Sequence, residues 1–257
     1  MKEKARTGIP AGICIIGAVL LLWHIVSVSN TTAPPPPRWT SLPHYEGPVA
    51  ELPEEKLPFA HSRYRERETL FMSFHPEEVD LCCLGDSITA KFEWQDALYP
   101  LRVANRGIGS DTTAGIAARL DSIAAIHPSV VSLMAGINDL VNSSPDETAG
   151  SYAVLLDALD ETLPGTTVIV SSVLPVTAAE GIGNDDIRRL NQQLEALCLE
   201  HEFTYLDIHG AFAGEDGFLR AEYAFDNVHL TAEGYRLWLS YLIPALEEAL
   251  GLQQVPS

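Results

Sequence analysis

Two short stretches, far apart in the chain, carry residue types that work together in acyl transfer. The first is Gly85-Asp86-Ser87-Ile88-Thr89, directly after the apolar run Val79-Asp80-Leu81-Cys82-Cys83-Leu84. A run this short, ended by glycine and a small polar residue, reads as a buried strand that turns sharply into a loop. A serine there projects from the C-terminal edge of a sheet, where open α/β folds build their sites. Taken alone, the pattern also describes an ordinary turn serine. The second stretch is Asp226-Asn227-Val228-His229-Leu230-Thr231. Thr231 is a good N-cap for the helical pattern that follows, and the three-residue spacing lets Asp226 fold back onto the imidazole of His229. A carboxylate so placed keeps one ring nitrogen protonated and leaves the other to take a proton from a serine hydroxyl. Ester hydrolysis through a serine needs such a base, an orienting acid, and donors for the oxyanion.

The remaining histidines have plainer readings. His24 falls in an N-terminal apolar run, His44 in a linker, and His61 and His75 on or beside an outer helix. His127 and His201 stand at helix ends, where a cation suits the dipole. His209 ends the fifth strand candidate and is a second candidate base. Asp207, His209, Asp226 and His229 have the ligand types of a zinc site, but no dense ligand pair on a helix accompanies them. No metal and no cofactor is expected. Gly107-Ile108-Gly109 lacks the third glycine of a dinucleotide fingerprint, Thr112 taking its place. Thr89 stands where the Gly-x-Ser-x-Gly elbow of an α/β-hydrolase has its second glycine, which excludes that fold.

Four blocks in this order, Gly85-Asp86-Ser87, Gly107-Ile108-Gly109-Ser110-Asp111, Gly136-Ile137-Asn138-Asp139 and Asp226-Asn227-Val228-His229, resemble the SGNH (GDSL-type) esterase and lipase family over residues 76–250. The resemblance implies that Ser87 is the catalytic nucleophile, activated by His229 and Asp226. It also implies an oxyanion hole made by the backbone N–H of Ser87, a backbone N–H of the second block, and the side-chain amide of Asn138. Many family members have a glycine immediately before the aspartate, where this chain has Ser110. Its own glycine is Gly109, the candidate donor, with the N–H of Ser110 as the alternative. A turn cap is the plainer role for Asn138. Asp86, Asp111 and Asp139 are read as anchors of their loops. The stretch Asn105-Arg106-Gly107-Ile108-Gly109-Ser110-Asp111-Thr112-Thr113 looks most like the branch of platelet-activating-factor acetylhydrolase-like and carbohydrate O-acetylesterase members, which removes short acyl groups. A long-chain lysophospholipase or thioesterase of the same family is the alternative, and a non-catalytic carbohydrate-binding module on the same fold is another. The walls of a substrate pocket are expected around Phe92-Glu93-Trp94, in the loop 176–184 and in 214–225.

The elements that must position these blocks alternate. Strand candidates cover 79–84, 101–104, 130–135, 167–173 and 203–208; helical patterns cover 112–126, 145–163, 185–200 and 232–250. In 112–126, Ile116, Leu120, Ile123 and Ala124 recur at three- and four-residue steps. Strands alternating with helices of this length indicate an α/β fold with a parallel sheet covered on both faces. The family resemblance makes it a three-layer α/β/α flavodoxin-like sandwich with a five-stranded parallel sheet. A further amphipathic helix, 59–73, is expected to pack on the outside.

A formal net charge of −19 argues against a nucleic-acid partner, since phosphate binding needs a basic surface. The expected partner is a small-molecule or polysaccharide acyl ester. Cys14, Cys82, Cys83 and Cys198 show neither metal-ligand nor disulfide-scaffold spacing and read as small buried residues. Residues 8–28 contain no formally charged side chain and follow Lys2, Lys4 and Arg6. At 1.5 Å per residue such a helix covers about 30 Å, the thickness of a bilayer core. It reads as an uncleaved signal-anchor, with a cleaved secretory signal as the alternative, and the basic flank places the rest of the chain outside the cytoplasm. The expected organisation is a membrane segment at 1–29, a proline-rich linker at 30–50 and an SGNH hydrolase domain at 51–257. Oligomeric state has no signature in the sequence.

Overall fold

Consecutive residues of the first strand are buried on opposite faces, and that alternation defines the layers. Leu81 and Cys83 enter one core, Cys82 and Leu84 the other. All four are buried, as a strand covered on both sides requires. The computed structural model describes residues 62–177 and 182–252. The proposed membrane segment, the proline-rich linker and Cys14 lie outside them. Among the described residues no helix is long and apolar enough to cross a membrane.

The chain runs α1 (Ser62–Ser73), β1 (Val79–Gly85), α2 (Ser87–Ala90), α3 (Trp94–Ala97), β2 (Val103–Gly107), α4 (Thr113–Ala117), α5 (Leu120–Ala124) and β3 (Pro128–Met134). A 3₁₀ turn (Asp139–Val141) leads to α6 (Pro145–Thr162), β4 (Thr167–Ser171), α7 (Asn184–Glu200), β5 (Thr204–Leu206), α8 (His209–Phe212) and α9 (Ala232–Ala249). The five strands form one parallel sheet in the order β2-β1-β3-β4-β5, which is flavodoxin-like. On one face Ile116, Ile123, Tyr152, Leu156, Ile187 and Leu194 carry α4 to α7. On the other, Ile88, Trp94, Phe212, Tyr235, Trp238 and Leu242 carry α2, α3, α8 and α9. The first three strands end side by side, so the loops holding the first three sequence blocks meet at one sheet edge.

Three expectations are corrected. The pattern at 112–126 is two short helices: Arg119 leaves helical geometry at φ −120° and ψ 18°, and its side chain turns into the interior. The second strand begins later than 101 and ends later than 104. Arg102 N is held by Asp80 Oδ2 at 2.7 Å, so pairing with β1 starts only at Val103 opposite Leu81. Phe92 and Trp94 are core rather than pocket wall. Trp94 is buried, and Phe92 packs edge-on against it and stacks on Tyr235 at 4.3 Å.

Candidate active site

Ser87 is the first residue of α2. Asp86 caps that single turn, its Oδ1 accepting from Ile88 N at 2.9 Å. Distant residues hold the same turn. Asn105 of β2 donates through Nδ2 to the carbonyls of Thr89, Ala90 and Phe92 at 3.2, 3.2 and 3.1 Å. The hydroxyl of Tyr235 donates to Ile88 O at 2.7 Å. Two glycines permit this close approach: a Cβ on Gly85 would collide with the Met134 carbonyl, and one on Gly107 with the backbone nitrogen of Ala90.

Asp226 and His229 lie in the loop between α8 and α9. Asp226 Oδ1 accepts from the N–H groups of Val228 and His229 at 2.9 and 2.7 Å, while Oδ2 lies 2.7 Å from His229 Nδ1. This is a turn in which an aspartate side chain stands in for the backbone. A carboxylate only accepts, so Nδ1 carries the ring hydrogen and Nε2 is left as acceptor. Nε2 is 2.8 Å from Ser87 Oγ. Partial burial pulls the Asp226 carboxyl upward. The N–H groups of His229 and Val228 and the adjacent imidazole outweigh it and hold the carboxyl well below the usual range. Asp226 therefore stays ionised at neutral pH. The loop is clasped by Phe225 N to His229 O at 2.8 Å and Thr231 N to Tyr223 O at 2.9 Å, and tied outward by Thr177 N to Asn227 O at 3.0 Å.

The structure thus brings Ser87, Asp226 and His229 together and leaves His209 elsewhere. His209 is buried, with Nδ1 3.0 Å from Val173 O, and burial lowers its pKa. It does not gather Asp207, His209, Asp226 and His229: among the described residues no group of three or more His, Cys, Asp or Glu is placed to hold a metal.

The candidate oxyanion donors surround Ser87. Among the described residues neither the N–H of Ser87 nor that of Gly109 has an intramolecular acceptor. The point a Gly109 Cβ would occupy is 3.9 Å from Ser87 Cβ. Ser110 is exposed and holds φ 63°, a left-handed conformation that glycine adopts at lower cost. Asn138 caps no helix with its side chain. Its Nδ2 donates to Asp111 O at 2.8 Å and leans on Asp86 Oδ2 at 3.4 Å, the long limit of a hydrogen bond. The amide therefore stands between the first two blocks with one hydrogen weakly engaged.

Residues 83–237, which span all four blocks, match the model of the GDSL-like Lipase/Acylhydrolase family. The chain belongs to this family. GDSL acylhydrolases are carboxylic ester hydrolases, and this chain is one of them. It is 30% identical over 166 residues to the alpha2 subunit of platelet-activating factor acetylhydrolase IB of Rattus norvegicus, covering 62% of this chain and 72% of that protein. The corresponding protein of Homo sapiens is 29% identical over the same length. Among solved structures, a GDSL-like lipase from Bacteroides thetaiotaomicron superposes with a TM-score of 0.64 at 24% identity, covering 72% of this chain and 98% of its own. A mutant of an acetyl-xylooligosaccharide esterase from Geobacillus Stearmophilus gives 0.53 at 21% identity, covering 71% and 98%. These two neighbours share the fold.

In this GDSL hydrolase the aspartates of the first three blocks are bound by the scaffold. Asp139 accepts from Thr113 N at 3.2 Å and from its hydroxyl at 2.6 Å. Asp111 Oδ2 pairs with Arg119 Nε at 2.9 Å, both side chains fully buried, and Arg119 Nη2 donates to Arg106 O at 2.8 Å. One buried arginine therefore ties the end of β2 to the loop beyond Gly109. Nothing in the sequence marked Arg119, because an arginine within an apolar helical pattern reads as its solvated face. Burial, with Asp111 and Asp139 nearby, pushes the Asp86 carboxyl up to about 7. Asp86 and Ile88, on either side of Ser87, line a recess of about 10 Å³, room for one water-sized group, closed by Met134, Ala135, Ile137 and Val173 among others.

Proposed function

We propose that this chain is a serine esterase for short acyl groups, acetyl above all, carried on a polar alcohol such as a sugar hydroxyl. Ser87 Oγ attacks the ester carbonyl while its proton passes to His229 Nε2, and Asp226 stabilises the imidazolium that forms. The oxyanion is received by the N–H groups of Ser87 and Gly109 and by the amide of Asn138. Collapse breaks the bond to the alcohol, which takes the proton back from His229. Water, deprotonated by the same imidazole, then releases the carboxylic acid and restores the serine. The observation that carries this reading is the continuous chain Asp226 Oδ2, His229, Ser87 Oγ with links of 2.7 and 2.8 Å.

Support for a short acyl group comes from the small size of the recess that Asp86 and Ile88 line with the ends of β3 and β4. It comes also from the names of two similar proteins, an acetylhydrolase and an acetyl-xylooligosaccharide esterase. Each methylene bound in an apolar channel is worth about 0.8 kcal/mol, roughly fourfold in affinity. A long-chain enzyme would gain steeply in kcat/KM from C2 to C8, whereas this recess should exclude the longer chains. A series of p-nitrophenyl esters from C2 to C8 is expected to show falling kcat/KM. A tenfold gain at C8 would transfer the assignment to a lysophospholipase or thioesterase.

The same proposal places the catalytic domain, 51–257, outside the cytoplasm, anchored by residues 8–28 and spaced by Pro34-Pro35-Pro36-Pro37. The full-length protein should resist alkaline carbonate extraction and keep its N-terminus. A mature form beginning near Asn30 would make the segment a cleaved signal.

A further inference from the structure

Arg63, in the first turn of α1, sits at the mouth of the site. Its Nη1 is 3.5 Å from the point a Gly109 Cβ would occupy, and Ser87 Cβ is 3.9 Å from that same point. The guanidinium and the candidate nucleophile thus share the space over Gly109. Unlike Gly85 and Gly107, Gly109 has room for a methyl group, since these contacts are ordinary van der Waals distances. A group placed over Gly109 would meet both the guanidinium and Ser87.

The placement of Arg63 is fixed from below. Tyr64, the next residue, is buried and donates its hydroxyl to Gly115 O at 2.6 Å. Tyr64 and Phe71 form a small core with Ile108, the residue before Gly109. One turn along, Glu68 is buried beside Arg119 and Arg106. These three, at positions i, i+4 and i+7, seat one face of α1 against the second block. Arg63 lies outside residues 83–237, the part that matches the family model.

The other arginines of the described residues are engaged. Arg102, Arg119, Arg188, Arg189, Arg220 and Arg236 pair with carboxylates, and Arg67 and Arg106 stack on Phe71. Arg65 also has a partner. Arg63 is exposed and, among the described residues, has no carboxylate, hydrogen-bond acceptor or ring. In a chain with 35 acidic and 16 basic residues, a guanidinium beside the reactive serine that is unengaged among the described residues stands out. The carboxylates of the site are themselves committed: Asp226 to His229, Asp111 to Arg119, Asp139 to Thr113.

Sheet order separates the two sides of Ser87. The serine follows β1; Gly109 and Arg63 lie toward β2, whereas the apolar recess is lined from the ends of β3 and β4. An acyl group placed in the recess leaves the alcohol portion to face the guanidinium. We infer that Arg63 is a specificity-determining residue that receives an anionic group, a carboxylate or phosphate, on the alcohol portion of the ester. This rests on the reading of Ser87 as nucleophile. A planar guanidinium suits either group through paired N–H donors, and a fixed cation on an acidic protein draws anions to that one place.

The test is a comparison of matched esters on the full-length protein: an O-acetylated methyl glucoside, its glucuronoside counterpart and the corresponding 6-phosphate. Wild type should prefer one or both anionic esters. In Arg63→Gln the ratio of kcat/KM for anionic over neutral ester should fall about tenfold, mainly through KM, as expected for an exposed charge-assisted contact. Arg63→Lys should recover part of it, and added salt should erode the wild-type preference. The glucuronoside and phosphate arms tell which anion is the better match. An unchanged ratio, or an equal fall on all esters through kcat, overturns the inference, the latter because Arg63 would then act on the oxyanion. Binding of unacetylated methyl glucuronoside, followed by NMR titration in wild type and Arg63→Gln, reads the contact without turnover. Loss of that binding in the variant sustains the inference even if ester hydrolysis fails, and identical binding rejects it.

Discussion

Around Ser87 the supports come from other elements of the fold, whereas around His229 they come mostly from the loop itself. The turn that carries the serine is gripped by Asn105 of β2 and Tyr235 of α9, and two glycines let neighbouring backbones touch it. The second block beside it is fixed by a fully buried Arg119–Asp111 pair. His229 and Asp226 are instead half-exposed and exposed, held by a three-residue turn and a short clasp. The nucleophile side is therefore inseparable from the stability of the sheet edge. The base side can be altered chemically with little consequence for folding.

Asp226→Asn should break that contrast most visibly if it is wrong. The amide can keep the bonds from Val228 and His229 N–H, but its NH₂ opposes the Nδ1 hydrogen and favours the wrong tautomer. We expect kcat to fall on the order of 10⁴-fold, with KM nearly unchanged and the melting temperature lowered only modestly, since Asp226 is exposed and its charge is screened. A collapse of the fold would show that the loop is structural after all. Arg119→Met should do the reverse. It strands a buried carboxylate at Asp111 and should cost about 3–5 kcal/mol of stability, read by denaturant unfolding; a cost below about 1 kcal/mol would remove the pair from the account.

A smaller effect concerns pH. Asp86, with its carboxyl raised to about 7 by burial, keeps a proton in the folded state that the unfolded chain has lost above about pH 4. The folded state then binds more protons than the unfolded, so stability falls as pH rises from about 4 to 7 and levels off above. Asp111, Asp139 and Glu68, raised mainly by burial, contribute with the same sign. Asp226, held low, acts oppositely, its contribution being complete above the ordinary carboxylate range and lost as pH falls through its depressed value. Melting curves of Asp86→Asn between pH 4.5 and 7.5 should show a shallower decline than wild type. Parallel curves would mean that Asp86 is not a proton reservoir of the nucleophile side.

The parts of the molecule that could be read in the sequence are those governed by local chemistry. Short apolar runs became strands, and the Asp-x-x-His spacing became a turn with the aspartate on the imidazole, because both depend on residues within a few positions. What could not be read depends on distant partners. Asn105-Arg106-Gly107 continues β2 although polar, since Asn105 spends its side chain on the serine turn. Arg119 interrupts a helical pattern to reach Asp111, Phe92 and Trp94 serve the core, and Arg63 comes from a helix beyond the four blocks.

The central claim, a covalent acyl-enzyme on Ser87 activated by His229, is tested most directly with a fluorophosphonate probe and peptide mapping by mass spectrometry. Wild type should carry a single adduct on the peptide containing Ser87, His229→Ala should label far more slowly because the hydroxyl has lost its base, and Ser87→Ala should remain unlabelled. An adduct that persists in Ser87→Ala, or that maps to another residue in wild type, would contradict the claim.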